Sequence, residues 1–112
     1  MGFTVYGGKT DNGLYVNDMI DGAHDIHIDS PNHLYFVRCV YYSNAEDFQQ
    51  QDGLALAMFA TGDEFKPVYA MKLSCDISHH RDLFEQRGFE HLLQDFWNIV
   101  QKLGYNVGVD NA

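Results

Sequence analysis

The stretch FEHLLQDFWNIVQKL, residues 89–103, decides the fold. At about 100° per residue, Phe89, Leu92, Leu93, Phe96, Trp97, Ile99, Val100 and Leu103 gather on one side, while Glu90, His91, Gln94, Asp95, Asn98, Gln101 and Lys102 gather on the other. That is the pattern of a half-buried helix. At roughly 1.5 Å per residue it is about 22 Å long. Complete burial of its apolar side would contribute on the order of 12 to 24 kcal/mol before opposing terms. Lys102 in the last turn and Gly104 just beyond it mark the end. Gly88 reads as a break, because extending the same helical phase backwards would put Leu83 and Phe84 on the polar side and Glu85 on the apolar side. Asp76 or Ser78 can cap a separate short helix over residues 79–87.

A helix with one apolar side needs a floor. In residues 33–42, HLYFVRCVYY, Tyr35, Val37, Cys39 and Tyr41 alternate with Leu34, Phe36, Arg38, Val40 and Tyr42, so both faces are largely apolar and the strand is expected to be central. Residues 54–61 and 68–75 read as two further strands, joined by Gly62-Asp63-Glu64-Phe65-Lys66-Pro67. Leu54, Leu56 and Met58 of the first, and Tyr69, Met71, Leu73 and Cys75 of the second, join Tyr35, Val37, Cys39 and Tyr41 as the expected floor. Asn12-Gly13, between β-prone residues 3–6 and 14–16, signals a hairpin, with Gly7-Gly8 as a candidate bulge. Ser30-Pro31-Asn32 is a turn, Ser43-x-x-Glu46 has the form of a capping box, and residues 105–107 are a candidate edge strand.

Residues 17–32, NDMIDGAHDIHIDSPN, admit two readings. As a helix, Asp18, Asp21, Asp25 and Asp29 share one face. As a turn followed by a strand from Ala23, which Gly22 and the isoleucines favour, Asp25, His27 and Asp29 share a face opposite His24, Ile26 and Ile28. Both give an acidic stripe. The expected fold is α+β: a single antiparallel sheet of about five strands with the C-terminal amphipathic helix packed on one face. Residues 1–112 are read as one domain, since a single core typically takes about 100–200 residues.

The composition, 46% hydrophobic with 14% aromatic residues, argues against disorder. The formal net charge is −9, which disfavours direct binding to nucleic acid or an anionic membrane, because phosphates are held mainly by Lys and Arg. Its distribution says more than its size. Between residues 10 and 65 the acids Asp11, Asp18, Asp21, Asp25, Asp29, Glu46, Asp47, Asp52, Asp63 and Glu64 face a single base, Arg38. The other residues balance, so the whole excess lies in that segment.

Several motifs are excluded. Gly8-Lys9-Thr10 matches the end of a phosphate-binding loop, but position 3 is Phe and Asp11-Asn12-Gly13 follows in place of a helix. His80-Arg81-Asp82 matches three letters of a kinase catalytic loop in a chain far too short to be a kinase. Gly2 meets Tyr6 where a myristoylation signal wants Ser or Thr. Cys39 and Cys75 sit in apolar runs and read as buried thiols. His24, His27 and His33, with Asp25 and Asp29, are the best metal-like cluster, His24, His27 and Asp29 leading; on a strand His24 and His27 point to opposite faces, so at most His27 converges with one or both aspartates, and neither a metal nor another cofactor is expected. The N-terminus has no apolar run of signal-peptide length, and no window reaches about 18 apolar residues, so the expected location is cytoplasmic.

Nothing in these motifs demands catalysis. The expectation is a non-enzymatic acidic binding protein, a nucleic-acid mimic or inhibitor, that blocks a basic surface of a protein partner such as a nuclease or toxin. Asp18, Asp21, Asp25 and Asp29 lead, with Glu46, Asp47, Asp63 and Glu64 in support. One alternative is a small-ligand- or metal-binding domain, enzymatic or not, that uses the second sheet face, Phe36, Arg38, Val40 and Tyr42, or the His24/His27 region; another is a structural subunit that forms a homodimer through that face, unless the N-terminal hairpin folds over it. No family is recognised across the chain. Its last third, VYAMKL followed by a short turn-helix and a helix with Phe96-Trp97 and a Gly104-Tyr105 end, resembles part of the small effector-binding domains related to gyrase-inhibitory proteins. It lacks the Gly-Pro-Tyr expected after the strand, where this chain has Cys75-Asp76-Ile77, and the resemblance implies no function.

Overall fold

The computed structural model describes residues 7–17, 27–45, 52–63, 66–73 and 88–109. These form an antiparallel sheet and one C-terminal helix, an α+β fold. The strands are β1 (Gly7–Lys9), β2 (Tyr15–Asn17), β3 (Ile28–Asp29), β4 (Tyr35–Ser43), β5 (Gly53–Ala60) and β6 (Pro67–Lys72), and the helix is α1 (Phe89–Leu103). The sheet order is β1-β2-β4-β5-β6, with β3 also paired to β4. β2 meets one end of β4, through Val16 opposite Tyr42, and β3 meets the other, through Ile28 opposite Val37. The long strand is central, as its two apolar faces required. The expectations for residues 3–6, for short helices in residues 43–48 and 79–87, and for residues 18–26 and Cys75 fall wholly or largely outside the described residues.

Helix α1 begins and ends where its glycines allow. Gly88 and Gly104 both adopt left-handed conformations, with φ of 97° and 111°, which an L side chain would strain. At the C-terminus the Gly104 N–H donates to Gln101 O and the Tyr105 N–H to Val100 O, the paired bonds of a Schellman turn. Phe89, Phe96, Trp97 and Val100 are buried against Val37, Cys39, Tyr41, Leu54, Leu56 and Met58, with Tyr35, Tyr69, Met71 and Leu73 packed at the margin. The floor is the one the alternation in β4, β5 and β6 predicts. The helix's apolar stripe is wider than that floor. Ile99, on its flank, and Leu103, in its last turn, stay 40% and 59% exposed.

The opposite face of the sheet forms a second core. Val16, Phe36, Val40, Ala55, Ala57, Phe59 and Ala70 are buried together, with Leu14 and Tyr42 against them. Cross-strand register sets Ala57 between Arg38 and Ala70, Ala55 opposite Val40, and Gly53 opposite Tyr42. Such small residues suit the concave side of a curled sheet, where side chains converge. The curl brings the two ends of the strand order together. The Asp11 N–H donates to Val68 O at 2.9 Å, and the Asn12 amide exchanges bonds with Ala70, donating from Nδ2 to its carbonyl at 2.7 Å and accepting its N–H at 3.2 Å. A side-chain amide thus completes the ladder on the β6 edge. The hairpin turn closes over the second face.

The tail corrects one expectation. Residues 105–109 add no strand. Val107 is buried in the helix-side core, its carbonyl accepts the Asn32 N–H, and the Gln101 side chain accepts the N–H groups of Val107 and Val109. With its polar groups satisfied by a helix side chain and a turn, the tail has no need of a strand partner.

Candidate functional site

Of the described acids in residues 10–65, Asp11, Asp52 and Asp63 stand on turns and connections and Asp29 at the end of a two-residue strand, while most of the side chains of the longer strands pack in the two cores. Asp29 closes β3 and is half exposed. His27 Nε2 lies 3.2 Å from Asp29 Oδ1, and His33 Nδ1 lies 3.4 Å from Oδ2. The His27 ring stacks on Phe36 at 4.4 Å with an interplanar angle of 8°, and Phe36 stacks in turn on Phe59. This column fixes one side of the carboxylate. His33 is held by its own turn, with a positive φ of 60° and its N–H donating to Ser30 O.

Asp63 occupies the exposed turn after β5, with its N–H donating to Ala60 O. That turn is tied to the Asp29 turn. The Thr61 hydroxyl donates to His33 O at 2.8 Å, and the Thr61 N–H donates to Leu34 O at 2.9 Å. Asp29 and Asp63 are therefore carried on two turns locked to each other at one end of the sheet. Towards the other end, Asn44 donates its backbone N–H to Asp52 Oδ2, and Lys72 Nζ reaches Asn44 Oδ1 at 2.8 Å while lying over the Tyr42 ring. These contacts anchor the ends of the connection whose sequence contains Glu46 and Asp47. Asp18, Asp21, Asp25, Glu46, Asp47, Glu64 and His24 themselves lie outside the described residues.

Phe36, Arg38, Val40 and Tyr42 do share one face, as the alternation predicts. Phe36 and Val40 are enclosed by the curl, at 2% and 0% exposure. The Arg38 guanidinium lies 5.6 Å from the Phe36 ring centroid, and small residues, Ala57 and then Ala70, occupy the cross-strand positions next to Arg38. The metal-like group is organised differently from a coordination sphere. His27 and Asp29 are bonded to each other, and among the described residues no set of three or more His, Cys, Asp or Glu is arranged to hold a metal ion. Among the described residues, too, no helix is long and apolar enough to cross a membrane.

Sequence reasoning missed Asp11. Its carboxylate accepts the Tyr105 hydroxyl at 2.6 Å, joining the β1–β2 turn to the tail across 94 positions of sequence. Tyr105 also packs beside Tyr35 and Tyr69. The available signal was that four residues of the apolar floor and tail, Tyr35, Tyr41, Tyr69 and Tyr105, end in hydroxyls, which seek polar partners at a core's margin. Comparison with protein-family models, with curated proteins and with solved structures returned no match. The functional reading therefore rests on the chain's own chemistry.

Proposed function

We propose that this chain is a non-enzymatic acidic binding protein that occupies and blocks a basic surface of a protein partner, such as the nucleic-acid groove of a nuclease or toxin, in the cytoplasm. The observation that carries the reading is the segregation of charge: the entire net −9 resides in residues 10–65. Charge needed only for solubility has no reason to avoid the rest of the chain. The fold supports the reading. The segments that contain these acids alternate with strands most of whose side chains pack in two cores, and Asp29 and Asp63 stand beside turns linked to each other. A surface of this kind competes with phosphate for Lys and Arg, and speeds encounter with a basic partner by steering.

Capture from cell lysate at low and high salt tests the proposal, with the wild type beside a variant carrying Asp18→Asn, Asp21→Asn, Asp25→Asn and Asp29→Asn. Basic proteins should be retained by the wild type at low salt, released at high salt, and retained poorly by the variant. Capture indifferent to salt, or equal for the two chains, would overturn it.

A further inference from the structure

Among the described residues, three of the chain's own cations rest on aromatic rings. The Lys9 ammonium lies 5.7 Å from the Tyr15 centroid, the Arg38 guanidinium 5.6 Å from Phe36, and the Lys72 ammonium 5.2 Å from Tyr42. A partly exposed group of tyrosines at the margin of the helix-side core carries no such cover among the described residues. Tyr35 on β4, Tyr69 on β6 and Tyr105 on the tail stand together, with the Tyr105 centroid 6.2 Å from each of the other two, and all three are partly exposed. Beside them is the exposed Asp11, which accepts the Tyr105 hydroxyl and has no basic side chain paired with it among the described residues.

The four groups are held by fixed backbone. Asp11 is bonded to Val68 O, Tyr105 to Val100 O, and Tyr35 and Tyr69 lie in paired strands. Burial, then the hydrogen bond to Asp11 and the Asp11 charge, with smaller contributions from Tyr35 and Tyr69, push the Tyr105 hydroxyl up to about 12. It therefore remains a donor to the carboxylate. Three partly exposed tyrosine rings, edge-on or tilted to one another, and a carboxylate bonded to one of them thus stand together in one preorganised patch.

We infer that Asp11, Tyr35, Tyr69 and Tyr105 form a socket for an arginine side chain of the basic partner. The inference rests on the proposed binding of a basic surface and names one contact within it. Arginine fits better than lysine. Its planar guanidinium stacks on aromatic rings and offers five N–H donors to several oxygens at once, and it is more weakly hydrated than an ammonium.

The test is an NMR titration of the full chain with N-acetyl-arginine amide, alongside the lysine and citrulline equivalents. The arginine probe should give saturable shifts at the Asp11 amide and the three tyrosine rings, the lysine probe weaker ones, and the uncharged citrulline probe none. Asp11→Asn should weaken the arginine probe about two- to fivefold, the range for an exposed charge pair, with amide signals of α1 and β5 unchanged. Absent shifts, equal shifts with citrulline, or full binding by a folded Asp11→Asn chain would overturn the socket. The wider reading is separable. If the arginine probe fails while salt-sensitive capture of basic proteins persists, the socket falls alone. If the probe binds while capture fails, the proposed function falls and the site stands as a guanidinium receptor.

Discussion

Replacing Asn12 with Ala tests the closure of the sheet at its weakest join. The Asn12 amide donates to Ala70 O at 2.7 Å and accepts the Ala70 N–H at 3.2 Å, in place of a neighbouring strand on that edge. Alanine removes both bonds, together with the one that the Thr10 hydroxyl donates to Asn12 Oδ1 at 2.6 Å, and leaves the N–H and carbonyl of a buried residue without them, since Ala70 is 1% exposed. At about 1 kcal/mol per net hydrogen bond, and somewhat more where a polar group is left unmet, the loss is about 2–3 kcal/mol. For a chain of this size that lowers the melting temperature by roughly 6–15 °C. The Asn12→Asp change would keep an acceptor but turn a carboxylate oxygen towards the Ala70 carbonyl, so it should be no better than Asn12→Ala. Urea unfolding gives the stability change, and amide exchange at Ala70 locates it. If Asn12→Ala unfolds within about 0.5 kcal/mol of the wild type and Ala70 exchanges as slowly as before, the hairpin turn does not seal the β6 edge.

Phe96 is completely buried between the helix and the floor. Phe96→Ala should cost about 3–5 kcal/mol by equilibrium unfolding; a cost below about 1 kcal/mol would mean that the helix does not pack as described. Gly108→Ala would combine a φ of +86° with a new Cβ only 2.7 Å from the Asn32 Cβ, so it should destabilise by about 1–3 kcal/mol and speed amide exchange at Asn32, while unchanged exchange would detach the tail from that turn. Tyr105 gives a pH signature. Its folded pKa of about 12 lies above the ordinary value of about 10, so the folded chain keeps a proton that the unfolded chain releases. Its contribution to stability is complete below about pH 10 and declines as the pH rises towards about 12. Urea midpoints at stepped alkaline pH should show a shallower decline for Tyr105→Phe than for the wild type, and parallel declines would mean that Tyr105 is not the titrating group.

What the sequence made legible was periodic and local. The helix bounds followed from one unbroken apolar phase between Gly88 and Gly104, and the floor followed from alternation in β4, β5 and β6, because a side chain's face is set by its position along its own strand. The closure of the sheet was not legible. It depends on Asn12 meeting Ala70 across 58 positions, and neither residue carries a pattern that points to the other. Asn12-Gly13 announces a turn, while nothing in it announces that the amide will finish a distant strand's ladder. The same holds for the patch at Asp11, where Tyr35 and Tyr69 read as floor residues until Tyr105 gathers them. The acidic segment was legible as charge, since charge can be counted without knowing the fold. The placement of Asp29 and Asp63 on linked turns required the Thr61–His33 bond.

The most direct test of blocking by acidic charge is the affinity of the captured basic partner, measured by calorimetry at about 0.1 M and about 1 M salt, between which the screening length falls from about 10 Å to about 3 Å. The wild type should weaken tenfold or more across that range, and the salt effect should be much smaller when Asp18, Asp21, Asp25 and Asp29 are changed together to Asn. An affinity within about twofold at both salt concentrations, or a variant whose salt dependence equals that of the wild type, would contradict it.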